Sequence, residues 1–265
     1  MAVESMHRSL VERLLCPACR DERSSWNLIP FRAKGEIILD GVLQCAGCSA
    51  WYPVQDAVLD LVAPSLWDPK AVESFAATYA GELAAATCRI PTPISETIRP
   101  QAQMAQREHF DWYADNEKQD YTAYQNTPFW RAEDALVFSA WKQRIAKPGG
   151  WLLDVGCADG RCAFQWRETV GHVAGCDISR KMICKAVARA RELGVEDRMS
   201  FFVADADALP LRDGSFDYAS TYGVLHHLPN PGRTYRDIIR VLKPGGILFA
   251  TENSTSAFGG LFDFR

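Results

Sequence analysis

The residues best suited to chemistry in this chain are Asp154-Val155-Gly156-Cys157-Ala158-Asp159-Gly160, which follow the apolar pair Leu152-Leu153. A strand running into such a turn delivers a carboxylate to its carboxyl end. Gly156 and Gly160 omit the Cβ atoms that would hold a ligand off the backbone. A pyrophosphate cradle reads G-x-G-x-x-G, whereas this turn reads Gly156-x-Ala158-x-Gly160 with two carboxylates, Asp154 and Asp159, crowding it. Anions are repelled there and a cationic ligand is favoured. Two further acids follow apolar runs: Asp177 after His172-Val173-Ala174-Gly175-Cys176, and Asp205 after residues 200–204. The first lies about 20 positions past the glycine turn, where doubly wound folds hold ribose hydroxyls.

Holding these acids in one place requires alternating strands and helices. Ser179 is placed as an N-cap, residues 180–193 have helical periodicity, and Gly194 suits the C-cap. An apolar strand is expected at 218–224, then a helix from near Pro231 to Leu242 and a fifth strand at 247–251. Such alternation predicts an α/β fold, a parallel sheet covered by helices on both faces, with ligands at the carboxyl ends of its strands.

The ordered motifs DVGCADG, GCDIS, ADADALP, DGSFDYASTYGVLHHLPNP and LKPGG, within residues 151–252, resemble the class I S-adenosylmethionine-dependent methyltransferases, especially ubiquinone-type and other small-molecule enzymes. The resemblance implies a Rossmann-like doubly wound sheet and a cofactor held by Asp154, Gly156, Ala158 and Gly160 at the turn. It implies Asp177 and Ile178 at the ribose, Asp205 and Ala206 at the adenine, and Thr221 and Tyr222 after the fourth strand. Ala158 stands where glycine is more usual in the family. Methyl transfer needs little beyond in-line alignment and exclusion of water, so a general base is optional; His226 is the candidate. Thr221-Tyr222-Gly223-Val224 replaces the Asn-Pro-Pro-aromatic tetrapeptide of many nucleic-acid amine methylases, which favours a small-molecule acceptor. An RNA methyltransferase and a non-catalytic scaffold with a methyltransferase fold stay open as alternatives, and the glycine spacing disfavours hydride transfer.

A second constellation lies near the start. Cys16-Pro17-Ala18-Cys19 and Cys45-Ala46-Gly47-Cys48 are paired C-x-x-C knuckles, a spacing that presents four thiolates to a tetrahedral zinc ion. The segment between them is expected to be a hairpin with turns at Lys34-Gly35 and Asp40-Gly41. Disulfides are a poorer reading, because the nine cysteines are odd in number and no secretory signal precedes them. The following Trp51-Tyr52-Pro53-Val54-Gln55-Asp56-Ala57 resembles the Trm112-like zinc ribbons, with Ala57 in place of the usual glycine. That family includes partners and activators of methyltransferases, so partner and enzyme would here be fused. Four thiolates leave no open position for a reactive water, making the metal structural.

These readings divide the chain into a ribbon at 1–63, a mainly helical connector or lid at 64–147 and a cofactor-binding domain at 148–265. Within the connector, breaks are expected at 91–93 and 126–128, and Tyr113, Tyr121 and Tyr124 are candidate cofactor or substrate contacts. A net charge of −4 gives no general footprint for nucleic acid, and no run is apolar enough to span a membrane, so a cytoplasmic enzyme is expected. Class I domains continue past a fifth strand, so the sheet is expected to be truncated here, its edge covered by a further C-terminal segment or by a second copy in a homo-oligomer.

Overall fold

The computed structural model describes residues 8–34, 37–86, 88, 101–116 and 127–252. A short helix α1 (Arg8–Val11) precedes an antiparallel set, β1 (Trp26–Lys34), β2 (Ile37–Cys45), β3 (Trp51–Gln55) and β4 (Val58–Asp60). Helices α2 (Pro69–Thr78), α3 (Ala80–Ala85), α4 (Gln101–Asp115) and α5 (Pro128–Lys142) lead to the second half. There β5 (Trp151–Val155), β6 (His172–Asp177), α6 (Arg180–Leu193), β7 (Met199–Val203), β8 (Phe216–Tyr222), α7 (Pro231–Val241) and β9 (Leu242–Thr251) alternate as expected.

The nine strands of the described residues belong to one sheet, in the order β1-β2-β3-β4-β7-β6-β5-β8-β9. The strands from β5 to β9 run parallel, and β5 and β7 are buried along their whole length, which is why they read as continuous apolar runs. The connections change direction between β5 and β8, so the crevice above β5 is the switch point of the sheet. The caps of α6 match the sequence: Ser179 Oγ accepts from the Met182 amide at 3.2 Å, and Gly194 is left-handed at φ 62°.

The amino-terminal strands, expected to form a separate ribbon, do not stand apart from this sheet. β4 pairs in parallel with β7, Leu59 opposite Phe202 and Asp60 opposite Val203. One apolar core spans both parts, from Leu10 and Tyr52 to Phe202 and Phe216. A second seam uses polar groups: the Leu15 amide donates to Pro210 O (2.9 Å), and the Arg212 amide to Arg13 O (2.8 Å). The Arg212 guanidinium donates to the carbonyls of Glu12, Glu22 and Ser24.

One local expectation is corrected. Asp40-Gly41 is not a turn; it lies inside β2, beside an irregularity in the pairing with β1. Asp40 is buried there, and its carboxylate accepts from Arg32, from Tyr79 Oη (2.7 Å) and from the Asp56 amide (3.1 Å). Gly41 is needed because a Cβ would stand 2.4 Å from Ile29 O. Asp-Gly reads as a turn from sequence because the burial that overrides it comes from the end of α2 and the β3–β4 corner.

The connector helices cover the site. α4 lies along α6, with Ser179 Oγ donating to Asp111 (2.5 Å) and Arg107 paired to Asp60 (2.9 Å). α5 packs Phe138 and Trp141 against Trp166 and Tyr222. Gly35, the break at 91–93, Tyr121, Tyr124, residue 126 and the chain after Glu252 lie outside the described residues. Among those described, no helix is long and apolar enough to cross a membrane.

Candidate functional site

A cleft opens at the carboxyl ends of β5, β6, β7 and β8. The turn after β5 forms its floor, with Gly156, Ala158 and Gly160 all left-handed at φ 70°, 47° and 85°. Glycine adopts that region freely, whereas alanine is disfavoured there by about 1 kcal/mol. The strain at Ala158 is held in place by its amide, which donates to Asp177 Oδ2 at 2.9 Å. The other oxygen of Asp177 accepts from the Ser179 amide at 2.9 Å. A Cβ on Gly156 would lie 2.5 Å from the Val224 side chain, and one on Gly160 would lie 2.6 Å from Phe164. Both glycines are therefore required by close approach as well as by backbone conformation.

Of the residues expected to hold a cofactor, Gly156, Ala158, Asp177, Ile178, Asp205, Ala206 and Tyr222 line this cleft together. Asp154, Gly160 and Thr221 do not line it. Asp154 is fully buried, its Oδ1 accepting from Ser220 Oγ at 2.6 Å while its Oδ2 makes no hydrogen bond. Thr221 Oγ1 and Tyr222 Oη are also buried without a hydrogen-bond partner. These orphaned polar atoms belong to the strands whose ends form the cleft.

Burial governs the acids. It raises Asp154 to about 7, opposed by the Ser220 hydroxyl and reinforced by the charge of Asp177. It raises Asp177 to about 6, against the pull of the Ser179 and Ala158 amides, which favour the charged form. Asp205 is raised for the same first reason. Tyr222 is raised by burial and by the neighbouring carboxylates Glu133 and Asp134.

The far wall comes from α4 and residues 224–228. Gln106 and Phe110 of α4 line the cleft, with Gln106 donating to His227 O and Phe110 edge-on to the His227 ring at 5.3 Å. The enclosed space is about 70 Å3, below the roughly 300 Å3 at which small-molecule pockets begin, because α4 and this loop close over the strand ends. Tyr113, on the same helix, packs on His109 and Trp112 and does not line the cleft.

The two histidines after β8 differ in environment. His227 lines the cleft, and burial together with His226 lowers its pKa. His226 is fixed from behind, its Nδ1 lying 2.8 Å from Glu252 Oε2. The other oxygen of Glu252 accepts from the amides of Val224 (3.0 Å) and Leu225 (2.8 Å). With Nδ1 hydrogen-bonded to a carboxylate, Nε2 is left as the proton-accepting nitrogen of the ring. Sequence reasoning misses Glu252, although it follows the fifth strand just as Asp177 and Asp205 follow theirs. Gln106 carries no local signal.

The four cysteines of the two knuckles also meet. All four Sγ atoms lie within 4.8 Å of one another, with Cys16–Cys48 at 3.7 Å and Cys19–Cys45 at 3.8 Å. Each knuckle closes the same way, the Arg20 amide donating to Cys16 O and the Ser49 amide to Cys45 O, both at 2.9 Å. Burial resists ionisation of Cys45, but the Ser24 hydroxyl at 2.7 Å and the amides of Cys48 and Gly47 outweigh it and draw the thiol downward.

Known proteins with similar sequences align with about half of the chain. Residues 153–250 match the methyltransferase domain family. The methyltransferase GfsG of Streptomyces halstedii is 36% identical over 122 residues, 46% of this chain and 44% of that protein. The 27-O-demethylrifamycin SV methyltransferase of Amycolatopsis mediterranei is 34% identical over 148 residues, 52% of this chain and 54% of that protein. The ubiquinone/menaquinone biosynthesis C-methyltransferase UbiE of Brucella anthropi is 35% identical over 126 residues, 46% of this chain and 47% of that protein. The chain spans about half the length of the curated relatives it matches.

Two consequences of the geometry and burial at this cleft can be measured. Ala158→Gly relieves about 1 kcal/mol of left-handed strain but adds roughly 0.4–1 kcal/mol of unfolded-state entropy, so chemical denaturation should show a change between zero and about 0.6 kcal/mol of stabilisation; clear destabilisation would show that Ala158 is unstrained. Asp154 and Asp177 have folded-state values above the ordinary 3.8, so the fold retains protons that the unfolded chain releases. Their contribution is full below about pH 4 and is lost as pH rises through 6 to 7, at about 1.4 kcal/mol per pH unit per group. His227 acts in the opposite sense, one group against two. The melting temperature of the free protein should therefore fall between pH 5 and 7, and Asp154→Asn should flatten the slope; a rising profile would refute the assignment.

Proposed function

We propose that the protein is an S-adenosylmethionine-dependent methyltransferase acting by direct in-line transfer on a small-molecule acceptor. The observation that carries this reading is the convergence of Asp177, Asp205 and the left-handed turn on one cleft, with both oxygens of Asp177 anchored by backbone amides. An anchored carboxylate still has lone pairs for hydroxyl donors, and this one lies where ribose hydroxyls would be held. Asp205 and Ala206 would flank the adenine, and Tyr222 with the acidic surroundings of Asp154 would receive the cationic end. When bound, the cofactor supplies a methyl group already activated by its sulfonium, so the chain has to align the acceptor and keep water out.

His226 is the base for an acceptor that must lose a proton. Glu252 holds its Nδ1, which leaves Nε2 to take that proton, and α4 closes the cleft from the opposite side. A small acceptor agrees with the net charge of −4 and with the acceptors named for the rifamycin and quinone enzymes above. Calorimetric titration with S-adenosylmethionine is the test. Folded wild type should bind saturably, Asp177→Ala should weaken binding at least about tenfold, and affinity should fall below pH 6 as Asp177 takes a proton. With an acceptor in hand, His226→Ala should lower kcat by about 10²-fold with cofactor affinity retained. Absence of binding by folded protein would sink the enzyme reading in favour of a scaffold.

The knuckles are a structural zinc site in the same reading. Four thiolates at about 2.3 Å from a tetrahedral zinc stand about 3.8 Å apart. The Cys16–Cys48 and Cys19–Cys45 separations of 3.7 and 3.8 Å suit that geometry. Purified protein should carry one zinc per chain, and Cys45→Ser or chelation should lower the melting temperature and expose the β1–β3 amides to hydrogen exchange. A metal-free protein with that region fully protected would remove the assignment.

A further inference from the structure

A second cavity, of about 470 Å3, opens at the seam between the thiolate knuckles and the methyltransferase sheet. Arg20 reaches it from the first knuckle, and Arg233, Arg236 and Arg240 reach it from α7. Four guanidinium-bearing residues from opposite ends of the chain therefore converge on one space.

Their partners are unevenly distributed. Arg240 is neutralised by Asp237 and Asp213, each at 2.6 Å. Arg20 donates to the carbonyl of Leu209 at 2.9 Å, and Arg240 Nη2 donates to the same oxygen at 3.2 Å, so two like charges share one acceptor. Among the described residues, neither Arg20, Arg233 nor Arg236 forms an ion pair. The acids in the wall are already engaged: Asp207 accepts from Thr234 Oγ1, Asp237 from Arg240 and the Leu209 amide, and Asp205 from the Asp207 amide.

Two placements oppose local preference. Arg233 and Arg236 lie in the first two turns of α7, the end at which the helix dipole disfavours cations and favours anions. Arg20 occupies a left-handed backbone position, φ 51°, that glycine would adopt without steric cost. Arg233 faces Asp205 and Arg20 faces Asp237 without closing to an ion pair, and planar donors left open in this way suit the oxygens of a phosphate, which guanidinium groups bind through paired hydrogen bonds. The volume falls in the range of small-molecule pockets and is too confined for a folded nucleic acid.

We propose that this cavity binds the phosphate or pyrophosphate group of a small phosphorylated ligand, at a site that adjoins the cofactor cleft and shares Asp205 with it. The test is calorimetric titration of the zinc-loaded full chain with inorganic pyrophosphate and inorganic phosphate at fixed ionic strength, using wild type, Arg233→Gln/Arg236→Gln and Arg20→Gln. Saturable binding should weaken at least about tenfold in the double variant and again in Arg20→Gln, with zinc content and far-ultraviolet circular dichroism unchanged. Because Arg20 adjoins a proposed zinc ligand, the double variant on the exposed face of α7 carries the decision if Arg20→Gln misfolds. No saturable pyrophosphate binding, undiminished binding in the double variant, or binding of a short single-stranded RNA far tighter than pyrophosphate would each overturn the proposal. None of these outcomes depends on methyl transfer.

Discussion

The carboxylate of Asp177 is the constraint on which the site depends. One oxygen fixes the strained turn through the Ala158 amide, and the other fixes the start of α6 through the Ser179 amide. Burial alone would favour the protonated acid, whereas two amides keep its pKa only moderately raised. The same group therefore sets the shape of the floor and supplies acceptor capacity above it. Ser179 extends the arrangement outward, because its hydroxyl both caps α6 and donates to Asp111 on the covering helix α4. Turn, helix and cover are tied together through two positions at the end of β6.

The ribbon is joined to this framework by covalent chain, sheet and side chain at once. β4 continues the hydrogen bonding of β7, and the segment just beyond β7 is the one that carries Asp205. Leu209, in the same segment, receives Arg20 from the knuckle on its carbonyl and gives its amide to Asp237 of α7. The thiolate knuckle is thus linked to the segment that carries Asp205 by the β4–β7 pairing and by the Arg20 side chain. An appended ribbon that only touched the domain through exposed side chains would have no such link.

The alternation of β5 to β9 with helices is legible because parallel strands buried on both faces write themselves as apolar runs ended by acids, and because the caps of α6 are local. The knuckles are legible for a similar reason, since C-x-x-C spacing is a local geometry. Asp40-Gly41 misleads because its environment is supplied by Tyr79 and Arg32, residues distant in sequence or across the hairpin. Tyr113 has chemistry suited to a ligand contact, but helix phase on α4 turns Gln106 and Phe110 to the cleft instead. The continuity of the sheet across the ribbon is invisible for a physical reason: β4 is three residues long and its partner β7 is remote in sequence, so no local pattern announces the pairing.

Glu252 shows why a strand end can carry more information than a motif. Its carboxylate accepts from the consecutive amides of Val224 and Leu225 and also meets the imidazole of His226, so the turn that carries both histidines is shaped from the neighbouring strand. His226 and His227 are adjacent in sequence with ring centroids 3.9 Å apart, yet of the two only His227 lines the cleft and only His226 bonds to the carboxylate. Sequence adjacency therefore does not make them interchangeable. The carboxylate fixes the orientation of the His226 ring, and His227, biased toward the neutral form by burial and by its neighbour, forms part of the wall that meets Phe110 of α4.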